Sequence, residues 1–112
     1  MIEGLPQNAI VIVNLVNPKE KFWGVLVSLS SAGLTLRGVN LDSFEDWVRQ
    51  IVTRDEISID LVTMFFPLFR LERMFLDEPV GSIQSYSDHF AEVVGMRPEK
   101  YIGIVAGSED VH

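Results

Sequence analysis

With 112 residues, 47% of them hydrophobic and 22% charged, the chain has the balance of one folded domain with a single core. That balance excludes intrinsic disorder. Nine basic residues against sixteen acidic leave a net charge of −7, which excludes bulk attraction to polyanions but not a local basic patch. The lack of cysteine removes disulfide scaffolds, thiolate metal sites and cysteine nucleophiles together.

In chain order, Met1-Ile2-Glu3-Gly4-Leu5-Pro6 has no cationic region and does not read as a secretory signal. The apolar run Ala9 to Val13 is far short of the roughly 20 residues of a membrane-spanning helix. The expectation is a cytoplasmic protein without a membrane segment. Ala9 to Val16, rich in Val and Ile, predicts a first strand with both faces covered, because apolar side chains fall on each. Pro18 to Lys21 turns the chain into a second strand, Phe22 to Ser30. Ser30-Ser31-Ala32-Gly33 turns it again into a third, Leu34 to Leu41, giving an antiparallel meander.

Asp42 to Arg54 changes period. Phe44, Trp47, Val48, Ile51 and Val52 fall on one face of a helix, with Ser43 as the expected N-cap and Asp46 in a capping-box position. Ile57 to Leu61 alternates, and Val62 to Phe66 continues it as a fourth strand. Pro67 forces a bend, because it cannot donate to a ladder, and Leu68 to Leu76 is expected as a fifth strand. A second helix, Tyr86 to Val94, has Ser85 as cap, Asp88 three residues on and Gly95 as stop. Its expected apolar face is Tyr86, Phe90, Val93 and Val94. Pro98 to Tyr101 predicts one more helical turn, and residues 103–112 a flexible tail.

Five short strands with a helix inserted after the third predict a mainly β domain spanning 1–112. Its expected form is a small closed or half-open five-stranded barrel, with an inserted helix at about 43–54 and a C-terminal helix at about 86–94. The alternative is an α+β roll with both helices on one face. The segments Val11 to Leu15, Gly24 to Leu29 and Gly33 to Val39, followed by Val62 to Leu76, resemble the strands of Sm-like, SH3-like small β-barrels over about residues 9–76. The resemblance implies assembly into rings through the final strands and RNA binding in loops around the pore. Ser30 to Leu34 lacks that family's Asp-x-x-Met/Phe-Asn signature, and Arg70 is followed by Leu71 where an Arg-Gly pair is expected. Fold and assembly carry over more readily than RNA binding.

The stretch Phe65 to Leu76 is the most unusual. Read as strand on both sides of Pro67, it puts Phe69, Leu71, Arg73 and Phe75 on one face, and Leu68, Arg70, Glu72, Met74 and Leu76 on the other. Both faces are largely apolar. One core cannot hide them all, so Phe66, Phe69, Arg70, Glu72, Arg73 and Phe75 are expected to form an oligomer seam, with Arg70 and Glu72 pairing. The competing reading has the helices covering the outer face. Lys19, Lys21, Phe22 and Trp23 combine cations with aromatics at a turn, a pattern that suits single-stranded nucleic acid, and the candidate RNA contacts are Lys19, Lys21 and Arg37. Two lysines around Glu20 are equally an ordinary solvated turn. Asp88, His89 and Glu92 lie within one helical turn, but a complete metal site requires ligands from elsewhere, so no metal is assigned. The acid pairs Asp55-Glu56 and Asp77-Glu78 sit beside turn residues and are expected to be solvated. No phosphate loop or Ser-His-Asp set can be assembled.

The reading that follows is a non-enzymatic, cofactor-free, self-associating β-barrel that acts as a binding or assembly module, as a homo-oligomer or with another protein. The alternatives are an RNA-binding Sm-like ring, and a small ligand-binding protein or enzyme with its site in the barrel mouth.

Overall fold

The computed structural model describes residues 8–54 and 58–103. The tail beyond Gly103, His112 and the pair Asp55-Glu56 lie outside them. The elements are β1 (Ile10–Leu15), β2 (Glu20–Leu29), β3 (Gly33–Asn40), α1 (Leu41–Thr53), β4 (Val62–Pro67), β5 (Leu71–Leu76) and α2 (Tyr86–Val94), with a single-turn 3-10 helix, Leu68–Arg70, between β4 and β5. A last helical stretch covers 98–103. The five strands form one antiparallel sheet in the order β4-β3-β2-β1-β5. The expected mainly β class with an inserted helix and a C-terminal helix is what the chain adopts, but the barrel is not closed. The strands β4 and β5 are the two sheet edges and do not pair with each other.

The expectation of a single core is also corrected, because each face of the sheet carries its own apolar cluster. Along β1, Val11, Val13 and Leu15 point one way. They pack with Phe22 and Leu26 of β2, Leu34 and Leu36 of β3, and Phe66 of β4. Met64 of β4 and Leu71, Met74 and Leu76 of β5 also reach this cluster. The sheet therefore curls, since side chains from its opposite edges meet over the same residues. On the other face Ile12, Trp23 and Val39 pack beneath Phe44, Trp47 and Val48 of α1, Phe90 of α2 and Leu61. The rings of Trp23 and Phe44 lie 5.1 Å apart, Trp23 and Trp47 5.6 Å, and Trp47 and Phe90 5.3 Å, the spacing of favourable offset or edge contacts. Each fully buried aromatic contributes roughly 1.5–3 kcal/mol through removal from water. This is how β1 comes to be covered on both faces.

Curling needs a place where strands approach closely. Gly24 of β2 faces Gly38 of β3, and a Cβ on Gly38 would lie 2.1 Å from the Trp23 carbonyl oxygen and 2.9 Å from Gly24 Cα. Only two glycines permit that approach.

Local signals were read with uneven success. The second helix has the expected bounds: Ser85 Oγ accepts from the Asp88 N–H at 2.9 Å, and Gly95 ends the helix at φ 93°. Its packed face is Phe90 and Val94, whereas Tyr86 and Val93 are exposed. The first helix starts one residue before Asp42, and its cap is Asn40 instead of Ser43, with Asn40 Oδ1 accepting from the Asp42 N–H at 2.8 Å. The fifth strand starts only at Leu71, because Leu68–Arg70 coils into the 3-10 turn.

Candidate functional site

Pro67 ends β4, and three residues later β5 begins. A connector this short keeps the two strand ends within roughly 14 Å of each other. The edges then diverge instead of zipping together, and each is hydrogen-bonded within the sheet on one side only. An open strand edge presents unpaired N–H and C=O groups that can pair with another chain, and folded proteins commonly blunt it with charge. The strand β4 reads Val62-Thr63-Met64-Phe65-Phe66-Pro67 and carries no charge at all. Val62 is exposed, Phe65 is 55% exposed, and Phe69 at the turn is 84% exposed. On β5 Phe75 is 46% exposed. These exposed apolar side chains are distributed over the two edge strands and the turn that joins them.

The six expected seam residues divide. Phe69 and Phe75 are at the surface, as are Glu72 and Arg73. Phe66 is not, being 7% exposed, with its ring 5.0 Å from that of Phe22 in the curled cluster. The register gives the physical reason: Phe66 pairs with the fully buried Leu34 and so points into the same cluster. Phe66 is thus core and is not one of the exposed edge residues. Arg70 is corrected as well. Its Nε donates to the Val16 carbonyl at 3.0 Å, and its Nη2 to the Pro18 carbonyl at 2.7 Å and Glu20 Oε1 at 3.0 Å. Glu20, not Glu72, is its partner, and the guanidinium ties the β1–β2 turn to the 3-10 turn. Glu72 instead lies 3.9 Å from Arg73.

The expected two-face alternation of the fifth strand fails for a specific reason. Leu15 pairs with Leu71 while Asn14 pairs with Arg73, so Glu72 is an extra residue in a bulge. The bulge moves Leu71 onto the core face with Met74 and Leu76, and leaves Arg73 and Phe75 on the other.

Lys19 and Lys21 line a shared open cleft of about 820 Å³ at the end of the sheet, bordered also by Asn14, Asp42, Arg73 and Tyr86. Arg37 does not join them. It pairs across the sheet with Val25, four residues along β2 from Lys21, roughly 13 Å away, and its Nη1 donates to Thr63 Oγ1 at 3.3 Å. The proposed three-cation RNA contact is therefore not assembled. The helical trio considered for a metal is dispersed among separate partners. Asp88 receives Arg97 Nη1 at 2.6 Å, His89 Nε2 meets Glu45 Oε1 at 2.5 Å, and Glu92 accepts from Gln84 at 3.0 Å. Among the described residues no group of three or more His, Cys, Asp or Glu could hold a metal ion, and no helix is long and apolar enough to cross a membrane.

One important side chain escaped sequence reasoning. Asp77, expected to be solvated, accepts from Trp23 Nε1 at 2.9 Å, the Tyr86 N–H at 3.0 Å, the Ser87 N–H at 2.7 Å and Ser87 Oγ at 2.6 Å. The available signal was Trp23 itself, since a buried indole N–H needs an acceptor. Compared with known proteins, the chain matches no family model, no curated protein sequence and no solved structure.

Proposed function

We propose that this protein is a non-enzymatic assembly module that self-associates through the β4 edge of one copy and the β5 edge of the next. The observation that carries the proposal is the uncharged edge strand β4, flanked by the exposed rings of Phe65 and Phe69. Pairing two edges satisfies backbone groups on both copies, and the rings on either side remove apolar surface from water. The resemblance of the strand segments to Sm-like barrels points the same way, since that family assembles through its last two strands. Because the two edges differ in sequence, the contact is heterologous and propagates head to tail until it closes into a ring. Glu72 and Arg73 on β5 supply the polar rim, and Phe69 and Phe75 the apolar contact.

Light scattering coupled to size-exclusion chromatography tests this directly. The expected result is a defined multiple of the 12.6 kDa subunit mass. Phe69→Glu, at a site too exposed to disturb the core, is expected to lower that mass while the thermal transition is retained. A wild-type monomer at micromolar concentration would overturn the proposal.

A further inference from the structure

In an antiparallel ladder, alternate residues turn their N–H and C=O groups toward a given neighbour, and the residues between turn theirs away. The Leu68 N–H donates to the Ala32 carbonyl at 3.0 Å, one step beyond Gly33 opposite Pro67. Phe66, Met64 and Val62 are therefore the β4 residues bonded to β3, and Thr63 and Phe65 hold their backbone groups outward. Pro67 comes next in that alternation but has no N–H. On β5 the Asp77 N–H donates to the Ile10 carbonyl at 3.0 Å, one step beyond Val11 opposite Leu76. Phe75 and Arg73 are thus bonded to β1, and Met74 and Leu76 hold their groups outward. The Glu72 bulge interrupts the alternation before Met74. Each edge offers a pair of alternate residues, and each pair ends at a residue that cannot continue a ladder.

Two such edges fit best when they run antiparallel. Phe65 then meets Met74 and Thr63 meets Leu76, and every outward group of these residues finds a partner. Pro67 falls opposite Glu72, so the two interruptions coincide. A parallel ladder is staggered and leaves one group on each strand unpaired. Side chains of directly opposite residues share one side of a sheet. Phe65 lies opposite Thr35, on the face that carries the helices, whereas Met74 and Leu76 reach the curled cluster. The antiparallel fit therefore turns the second copy over. Phe65, 55% exposed, then packs beside the half-buried Met74 and Leu76 of the second copy, and Met64 lies against its Phe75. Resting on the edge pairing above, we propose that the partner of the β4 edge is the Met74–Leu76 edge of a second, inverted copy. In that register Phe65 of one copy extends the curled cluster of the next.

The chain has no cysteine, so introduced thiols report the register. In the antiparallel fit Met64 and Phe75 are a pair without mutual hydrogen bonds, with Cα atoms about 4.5 Å apart, within disulfide reach. Within one copy they lie on different edge strands and on opposite faces. Oxidised Met64→Cys/Phe75→Cys is expected to run as covalent multiples of 12.6 kDa on a non-reducing gel, and as a monomer after dithiothreitol. Phe65→Cys/Phe75→Cys and Thr63→Cys/Phe75→Cys, the pairs that the two parallel staggers would join, are expected to stay monomeric on the same gel. Covalent multiples from either of these, and none from Met64→Cys/Phe75→Cys, would overturn the register while edge pairing stands. So would a multimer by light scattering in which no pair cross-links. A disulfide-linked dimer of Met64→Cys alone would mean that β4 pairs with itself, and a wild-type monomer would mean that no edges pair; either removes the edge pairing and its register together. If Met64→Cys/Phe75→Cys fails to fold, Phe65→Cys/Met74→Cys, directly opposite in the same register, decides in its place.

Discussion

Asp77 follows the last residue of β5 and takes four donors on two oxygens, so Asp77→Ala tests whether this carboxylate holds the sheet and α2 together. Trp23 is 0% exposed, so its indole N–H would lose the Asp77 acceptor at a place that water does not reach. An unpaired buried donor of this kind costs about 1–3 kcal/mol. The Ser87 N–H and hydroxyl are also buried, whereas the Tyr86 N–H is near solvent and recovers most of its loss. Removing the negative charge that Asp77 holds against the N-terminal N–H groups of α2 costs about 0.3–1 kcal/mol more. Together these come to about 2–4 kcal/mol, or roughly 8–17 °C in melting temperature for a chain of this length. Asp77→Asn keeps one acceptor oxygen and is expected to fall between the two. Thermal unfolding followed by circular dichroism and tryptophan fluorescence measures both variants. If Asp77→Ala melts within about 2 °C of the parent, the carboxylate is not the clasp described here.

Two further perturbations probe the sheet and the C-terminal helices. In Gly38→Ala the new methyl would meet backbone on both sides, the Trp23 carbonyl oxygen and Gly24 Cα. The strands must separate, at a cost of about 3 kcal/mol or more in a urea titration, and a loss below about 0.5 kcal/mol contradicts the close approach. The Arg97 guanidinium beside Asp88, assisted by the Ser85 hydroxyl, holds the Asp88 carboxyl below its ordinary 3.8. A carboxyl depressed in the folded state adds stability that is fully present above the unfolded pKa and disappears as pH falls through the folded one. Asp88→Asn is therefore expected to lessen the loss of stability on acidification below about pH 4, and superimposable acid limbs for variant and parent would count against the pair.

Much of the fold was legible because period and caps act locally. Phe44, Trp47 and Val48 announced α1, and Ser85 with Gly95 fixed α2 at both ends. The cap of α1 was misassigned by three residues because Asn40, the last residue of β3, serves two elements at once. What could not be read were effects that depend on partners distant in sequence. The Glu72 bulge is defined against Asn14 and Leu15 on another strand, and a single inserted residue reverses which face each later side chain takes. Arg70 met Glu20 across fifty positions and Asp77 met Trp23 across fifty-four, and neither spacing leaves a local trace. Of the apolar strand residues near Pro67, the curled sheet absorbs Phe66 and leaves Phe65, Phe69 and Phe75 outside.

The sheet serves as a party wall between two rooms. Phe22 and Trp23 are consecutive residues, yet the first furnishes the curled side and the second the helical side. Neither room can be emptied while the wall stands, and the wall does not stand with one side bare. A chain of this size thus avoids the usual penalty of dividing its apolar material in two: both halves lean on the same backbone hydrogen bonds and are lost in the same event. Damage on the helical side should accordingly be felt at the strand edges, on the far side of the plaster.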